Sequence, residues 1–153
     1  LVIKGDNVLL EYFKNEEATA KAFNKDGYFL TGDLGIEDKD GFFFITGRKK
    51  ELIIKGGENI SPREIDDTLY KHNAVLEACT FGIKDENYGE EISACVFLKD
   101  NLSANEEELL ALCTADLGEY KTPSKIIFVD EPLPKGPSGK IQRLKIASQY
   151  SHT

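Results

Sequence analysis

Few residues of this chain are of a type and in a setting to do chemistry, and a lysine leads them. The stretch EPLPKGPSGK carries Lys135 and Lys140 among prolines and glycines. A Walker A phosphate loop needs GxxxxGK followed by Ser or Thr. Gly136 and Gly139 are too close together for that, and Ile141 follows Lys140, so the phosphate-loop reading fails. What remains is a lysine held out on a loop ahead of a helix. It either carries a compact ammonium charge to a phosphate or carboxylate in a site built elsewhere, or it sits in solvent. Gly56-Gly57 is either a tight turn or a place where a ligand passes close to backbone. Asp33, between Gly32 and Leu34, could accept hydrogen bonds from sugar hydroxyls or cap a turn. His72 and His152 show no metal-ligand spacing, and no GxSxG supports a Ser-His-Asp hydrolase.

Charge narrows the partners. The 153 residues carry 19 basic and 27 acidic side chains, a net −8. A nucleic-acid-binding domain normally shows a basic excess, so no nucleic-acid partner is expected. Two islands run against the balance. Residues 48–63 and 131–146 each sum to +3, and such islands in an acidic body can focus a phosphate-bearing ligand. No apolar stretch approaches the ~20 residues of a membrane helix, so no membrane segment is expected. Cys79, Cys95 and Cys113 form no CxxC pair. Reduced thiols in a cytoplasmic setting are expected, with no metal site. The chain opens at LVIKG, has no methionine and shows no signal peptide. It reads as a piece of something longer.

The elements that must position these residues are legible in outline. Asn15 caps a helix over 16–23. Strands at 34–37 and 42–46 form a hairpin around Asp38-Lys39-Asp40-Gly41, with Gly41 supplying a positive φ. A short strand at 52–54 ends at Gly56-Gly57, near a joint between two structural units. Ser61-Pro62-Arg63-Glu64 predicts a capping box and a helix with Ile65, Thr68, Leu69 and His72 on one face. Strands follow at 78–83 and 92–98, the second continuously apolar and therefore central. Ser103-Ala104-Asn105-Glu106 predicts a second capping box, opening a helix with Leu109, Leu112, Cys113 and Leu117 on one stripe and Gly118 at its end. A strand at 125–129 and an amphipathic helix over 141–148 close the chain. From Lys50 onward this is a compact α+β unit of about 100 residues.

Three collinear segments, DGYFLTGDLG, ITGRKKELIIKGGENISPREID and LPKGPSGKIQR, resemble the adenylate-forming acyl-CoA synthetase (AMP-binding) family. The resemblance runs from GDNVLLEYF to IQRLKI, nearly the whole chain. It implies an α+β fold: the small mobile C-terminal domain, short sheets flanked by helices, over residues 50–153. A β-rich tail of the large N-terminal domain would occupy 1–49. The implied activity is an AMP-forming acid–thiol ligase of carboxylic-acid metabolism. Such an enzyme joins a carboxylic acid to AMP from ATP and Mg, then passes the acyl group to the thiol of CoA. Under the resemblance Asp33 and Arg48 would contact the ribose of ATP or AMP. Lys50 would stand at the hinge, and Gly56 and Gly57 would line the pantetheine passage. Lys140 would be the catalytic lysine of adenylation. The chain's own N-terminal domain is the implied partner and the main holder of Mg. The phosphate loop and acyl pocket of a full enzyme are absent from these residues, so the piece alone is expected to be inactive. Two alternatives stand beside this one, an adenylation domain that loads a carrier protein and a non-catalytic interaction module. A peptide-synthetase domain usually places Asp where Lys50 stands, which favours the CoA ligase.

Overall fold

The computed structural model describes residues 1–150. The chain divides into two compact units, Leu1–Lys50 and a second from Glu51 onward.

In the first unit β1 (Val2–Ile3) pairs antiparallel with β2 (Phe29–Leu30). Between them lies α1 (Glu16–Ala22), whose N-cap Asn15 accepts the Ala18 N–H at 3.0 Å. Glu16 and Glu17 in its first turn and Lys21 in its last complement the helix dipole. Next, β3 (Asp33–Glu37) and β4 (Phe43–Arg48) form the expected hairpin. Asp38 closes the turn, its side chain accepting the N–H groups of Asp40 and Phe42 at 2.9 Å each. Gly41 takes φ +84°. Phe43 and Phe44 are 63% and 54% exposed. Successive strand residues point to opposite faces, so both faces of β4 are apolar and uncovered in this chain.

A 3-10 turn over Lys49–Glu51 leads into the second unit. There β5 (Ile53–Lys55) and β6 (Glu58–Ile60) form a hairpin, followed by α2 (Pro62–Leu69), β7 (Val75–Asp85), β8 (Gly89–Leu98), α3 (Glu106–Leu117), β9 (Lys125–Val129) and α4 (Arg143–Tyr150). The sheet runs β6-β5-β8-β7, with β9 parallel to β8. β8 is therefore central, as its continuous apolar run predicts. β7 lies along one edge; the backbone register of β5 with β8 pairs Lys55 with Gly89, and β9 takes Ser93 to Phe97.

Both faces of this sheet are buried. On one, Ala78, Ile92, Ala94 and Val96 pack with Ile65 and Leu69 of α2 and with Leu109 and Cys113 of α3. On the other, Cys79, Phe81 and Cys95 pack with Leu133 and with Ile146 of α4. The period-2 alternation of β7 and β8 thus feeds two cores rather than one core and solvent.

Several local expectations are corrected. The second strand of the β5–β6 hairpin goes unpredicted, because Glu58 and Asn59 are poor strand formers. Pro62 stands at the helix start, but Ser61 makes no side-chain cap hydrogen bond. Glu64 meets Lys121 at 2.8 Å instead. α2 ends at Leu69, so His72 lies in the following turn, where its Nδ1 accepts the Ala74 N–H at 3.3 Å. The capping box of α3 is Asn105 with Glu108, two residues later than the expected one at Ser103. Gly118 does end α3, its N–H donating to the Thr114 carbonyl at 3.0 Å. Ile141 belongs to a hairpin with Lys135, and α4 starts two residues on, at Arg143.

The three cysteines are free and buried. Burial pushes the Cys79 thiol up to about 12 and those of Cys95 and Cys113 up to about 11 each. The reactive thiolate is therefore scarce as well as shielded. At about pH 8, just below the free-cysteine value, iodoacetamide should leave all three unlabelled in the native chain and label all three in urea. Rapid labelling of the native chain would contradict this packing.

Candidate functional site

Asp33 and Arg48 are 15 residues apart in sequence, and the hairpin brings them together. They face each other in the β3–β4 register, and Arg48 Nε donates to Asp33 Oδ1 at 2.7 Å. The Asp33 backbone N–H is held by Thr31 Oγ1 at 3.0 Å. The spacing follows from the ladder itself, since Asp33 opens β3 and Arg48 closes β4. The pair presents a carboxylate, an acceptor for vicinal hydroxyls, beside a planar five-donor cation. Lys50 is the last residue of the first unit, in the 3-10 turn, exposed.

Gly56 and Gly57 are the two central residues of the β5–β6 turn, with Lys55 opposite Glu58. Their φ angles are +56° and +87°. A two-residue hairpin loop with positive φ at both positions is a type I′ turn, and Gly-Gly meets that requirement without strain. The tight turn is therefore real, whatever else these glycines do.

Lys140 stands on a second hairpin. Gly136 N–H donates to the Lys140 carbonyl and Gly139 N–H to the Gly136 carbonyl, both at 2.9 Å, and Gln142 N–H to Pro134 O at 2.8 Å. Pro137 at the second turn position and Gly139 at φ +77° fit a type I turn followed by a left-handed glycine. The base is anchored by Glu77 of β7, which accepts the Leu133 N–H at 2.8 Å and pairs with the Lys135 ammonium. Lys140 itself is exposed, and among the described residues its ammonium has no hydrogen-bond or ion-pair partner. Lys140 and the Gly-Gly turn are carried by separate hairpins. His152 lies outside the described residues.

Sequence reasoning missed Arg143, three residues past Lys140, which entered only as one charge of a basic island. Its side chain is 15% exposed. Nε donates to Glu51 Oε2 at 2.9 Å and Nη2 to Asp66 Oδ2 at 2.8 Å, while Nη1 donates to the Thr80 carbonyl. Asp66 Oδ1 in turn accepts the Thr80 N–H at 2.6 Å. Burial pushes the Asp66 carboxyl up, and the Arg143 guanidinium and the Thr80 amide pull against it. With a donor on each oxygen, the geometry is that of an ionised carboxylate. Burial also opposes the Arg143 charge, but Asp66 and its neighbours outweigh it and hold the guanidinium firmly protonated. The signal in the sequence was an arginine at the start of a short helix with a carboxylate on α2, but nothing local connects them.

Comparisons with known proteins place the chain in a family. The family model of the AMP-binding enzyme C-terminal domain matches residues 64–140. The chain belongs to this family of adenylate-forming enzymes, to its C-terminal portion. It is 51% identical over 146 residues to the sulfoacetate–CoA ligase of Cupriavidus necator, matching 95% of this chain and 28% of that protein. It superposes on ATP-bound MatB from Rhodopseudomonas palustris with a TM-score of 0.90 and 35% identity, covering 98% of this chain and 30% of that one. With the o-succinylbenzoate CoA synthetase of Bacillus subtilis, solved with its acyl-adenylate intermediate, the TM-score is 0.87 at 37% identity, covering 95% and 29%. The chain thus spans under a third of each of these relatives. The α+β architecture matches theirs.

Arg143→Ala should destabilise the second unit by about 3–5 kcal/mol, because it strands the buried Asp66 carboxylate. Urea unfolding checks this, with Arg63→Ala on the exposed face of α2 as the comparison, expected to lose less than about 1 kcal/mol.

Proposed function

We propose that this chain is the C-terminal part of an ATP-dependent acid–CoA ligase. Residues 1–49 would be the tail of its large domain and 50–153 its small mobile domain. The observation that carries this reading is Lys140. On one hairpin arm Lys135 is neutralised by Glu77, while Lys140, past the turn, keeps an ammonium with no partner among the described residues. A glycine-closed hairpin with an anchored base and a bare cation suits a group that must meet charge supplied from outside.

The first half-reaction joins a carboxylate oxygen to the α-phosphorus of ATP, and pyrophosphate leaves. Negative charge develops on the transferring centre, and the Lys140 ammonium stabilises it in a water-poor site. Asp33 accepts the ribose hydroxyls while Arg48 fixes the Asp33 carboxylate and contributes positive charge beside it. In the second half-reaction the CoA thiol sulfur attacks the acyl carbon, AMP leaves with the phosphate oxygen, and the thiol proton is released. Rotation about Lys50 withdraws Lys140 and brings the Gly56-Gly57 turn to the thiol arm. The break between compact units after Lys50 supports the hinge. The uncovered aromatic faces of β4 support residues 1–49 as part of a larger domain, since a lone two-stranded sheet is marginal in water. No helix among the described residues is long and apolar enough to cross a membrane. No group of three or more His, Cys, Asp or Glu side chains gathers among the described residues. The Mg that accompanies ATP would be held mainly by the large N-terminal domain. The setting we propose is the cytoplasm, consistent with the three free thiols.

The test is carboxylate-dependent ATP–pyrophosphate exchange by the intact protein that carries this chain. The acid panel includes sulfoacetate, o-succinylbenzoate and medium-chain acids. Lys140→Ala should cut exchange by about 10²–10³-fold. Lys140→Gln should lose exchange equally but still form thioester from supplied acyl-adenylate. Exchange that survives Lys140→Ala, or a Lys140→Gln variant dead in both halves, would overturn the assigned role. A holo-carrier protein that outcompetes CoA would favour the carrier-loading alternative.

A further inference from the structure

Lys55 occupies an unusual place for a lysine. Lysines are almost never fully buried unless paired, and Lys55 is 8% exposed. Its Nζ lies 2.6 Å from Glu91 Oε1. It also faces two aromatic rings, 5.7 Å from the Tyr88 centroid and 5.2 Å from that of Tyr120. Tyr120 has a second hold on the same residue, since its hydroxyl donates to the Lys55 carbonyl at 2.6 Å. Both ends of Lys55, ammonium and carbonyl, are therefore gripped from elements distant in sequence.

The grip falls immediately before Gly56-Gly57. Two adjacent glycines lose more conformational freedom on ordering than any other pair, so the shape of such a turn depends on external tethers. They are present on either side of Lys55. Ile54 N–H donates to Glu90 Oε2 at 2.5 Å, and Gly56 N–H donates to the Tyr88 carbonyl at 2.8 Å. The turn also has two distinct glycines. A Cβ on Gly56 would lie 2.8 Å from Tyr120 Oη, so that residue is packed against the clamp. A Cβ on Gly57 would meet nothing within 4 Å. One glycine is fixed to the protein and the other is bare backbone.

We propose that Lys55, held by Glu91 between Tyr88 and Tyr120, is a positioning residue for thiol transfer. It sets the Gly56-Gly57 turn in the shape past which a pantetheine arm must thread, while contributing nothing to adenylation. This rests on the reading above that the turn lines that passage. A loosely held Gly-Gly turn would sample closed shapes, and each lowers the fraction of protein able to admit the arm.

The test uses the intact protein and measures the two half-reactions separately: ATP–pyrophosphate exchange, and thioester formation from supplied acyl-adenylate with CoA varied. Lys55→Met keeps the length and removes the cation. It should raise the KM for CoA by about 10–100-fold, the cost of a misplaced positioning element, and leave exchange unchanged. Tyr120→Phe removes only the hydroxyl on the Lys55 carbonyl and should raise that KM in the same direction by less. Lys55→Arg keeps a cation that stacks on rings and should recover most of the loss. Equal losses in both half-reactions would make Lys55 structural and overturn the proposal, as would an unchanged KM in Lys55→Met and Tyr120→Phe. Gly57→Asn separates this from the passage reading, because Asn tolerates left-handed backbone and adds a side chain on the bare side. Transfer that ignores Gly57→Asn would sink the passage itself, and the proposal with it. Transfer blocked by Gly57→Asn but indifferent to Lys55→Met would sink the Lys55 proposal alone.

Discussion

Taking a guanidinium out of water costs several kcal/mol unless partners replace the lost solvent, and the Arg143 side chain is mostly out of water, at 15% exposed. The second unit meets that demand by converging on it. Glu51, at the start of the unit, lies 92 residues away in sequence; Asp66 of α2 lies 77 away, and the Thr80 carbonyl of β7 lies 63 away. Asp66 is itself tied to the Thr80 N–H. If any of these segments shifts, a charge is left buried and unpaired. The first turn of α4, the N-terminal edge of the unit, α2 and β7 are therefore locked at one point. The hairpin that ends one residue before Arg143 is tied to that point through the chain.

The same reasoning separates the cations into two kinds. Lys55 is buried, the Arg143 side chain is mostly buried, and both have carboxylates of their own, so their charges are already committed to the protein's own architecture. Lys140 and Lys50 are exposed, and among the described residues neither ammonium has such a partner. A buried pair cannot also serve a ligand without stranding its carboxylate. The positive groups available to an incoming phosphate are therefore the exposed ones, and the buried ones hold still the backbone that carries them.

Much of this was open to reading residue by residue. β9 falls at 125–129 and the Gly41 hairpin forms as its residues dictate, because apolar runs and turn glycines act locally. The central place of β8 followed from its continuous apolar run, which only a strand covered on both faces tolerates. Asp33, Gly56, Gly57 and Lys140 stood out by type, and Arg48 through the family resemblance. What stayed hidden was pairing across distance. Nothing in TGDLG or ITGRK says that Asp33 and Arg48 sit opposite one another, because the register depends on a bulge between Leu34 and Gly35. The Lys55 cluster ties Lys55 to residues 33 to 65 positions away, and the Arg143 cluster ties Arg143 to residues 63 to 92 away. The misplaced capping boxes have a different cause. Ser61 and Asn105 both suit an N-cap, but Glu64 is drawn off to Lys121, and only Asn105 finds its glutamate free at the third position.

The two hairpins to which roles are proposed are built to opposite specifications, and glycine serves both. At Gly56-Gly57 the glycines allow a turn with no side chain on its open face, and the neighbours remove the flexibility that glycine brings. At Gly136 to Lys140 the base is anchored through Glu77, and the tip is held by its own backbone bonds. The ammonium there remains at the end of a mobile four-carbon stem. Fixing that stem costs roughly 1.5–2 kcal/mol of side-chain entropy. A charge forming in a water-poor site returns more than that, since losing one such contact costs about 2.7–4 kcal/mol. A passage for a neutral arm offers no comparable return at the moment of reaction. Under the proposed roles its order has to be present beforehand, which suits a buried lysine beside the glycine turn and a free one beside the proline turn.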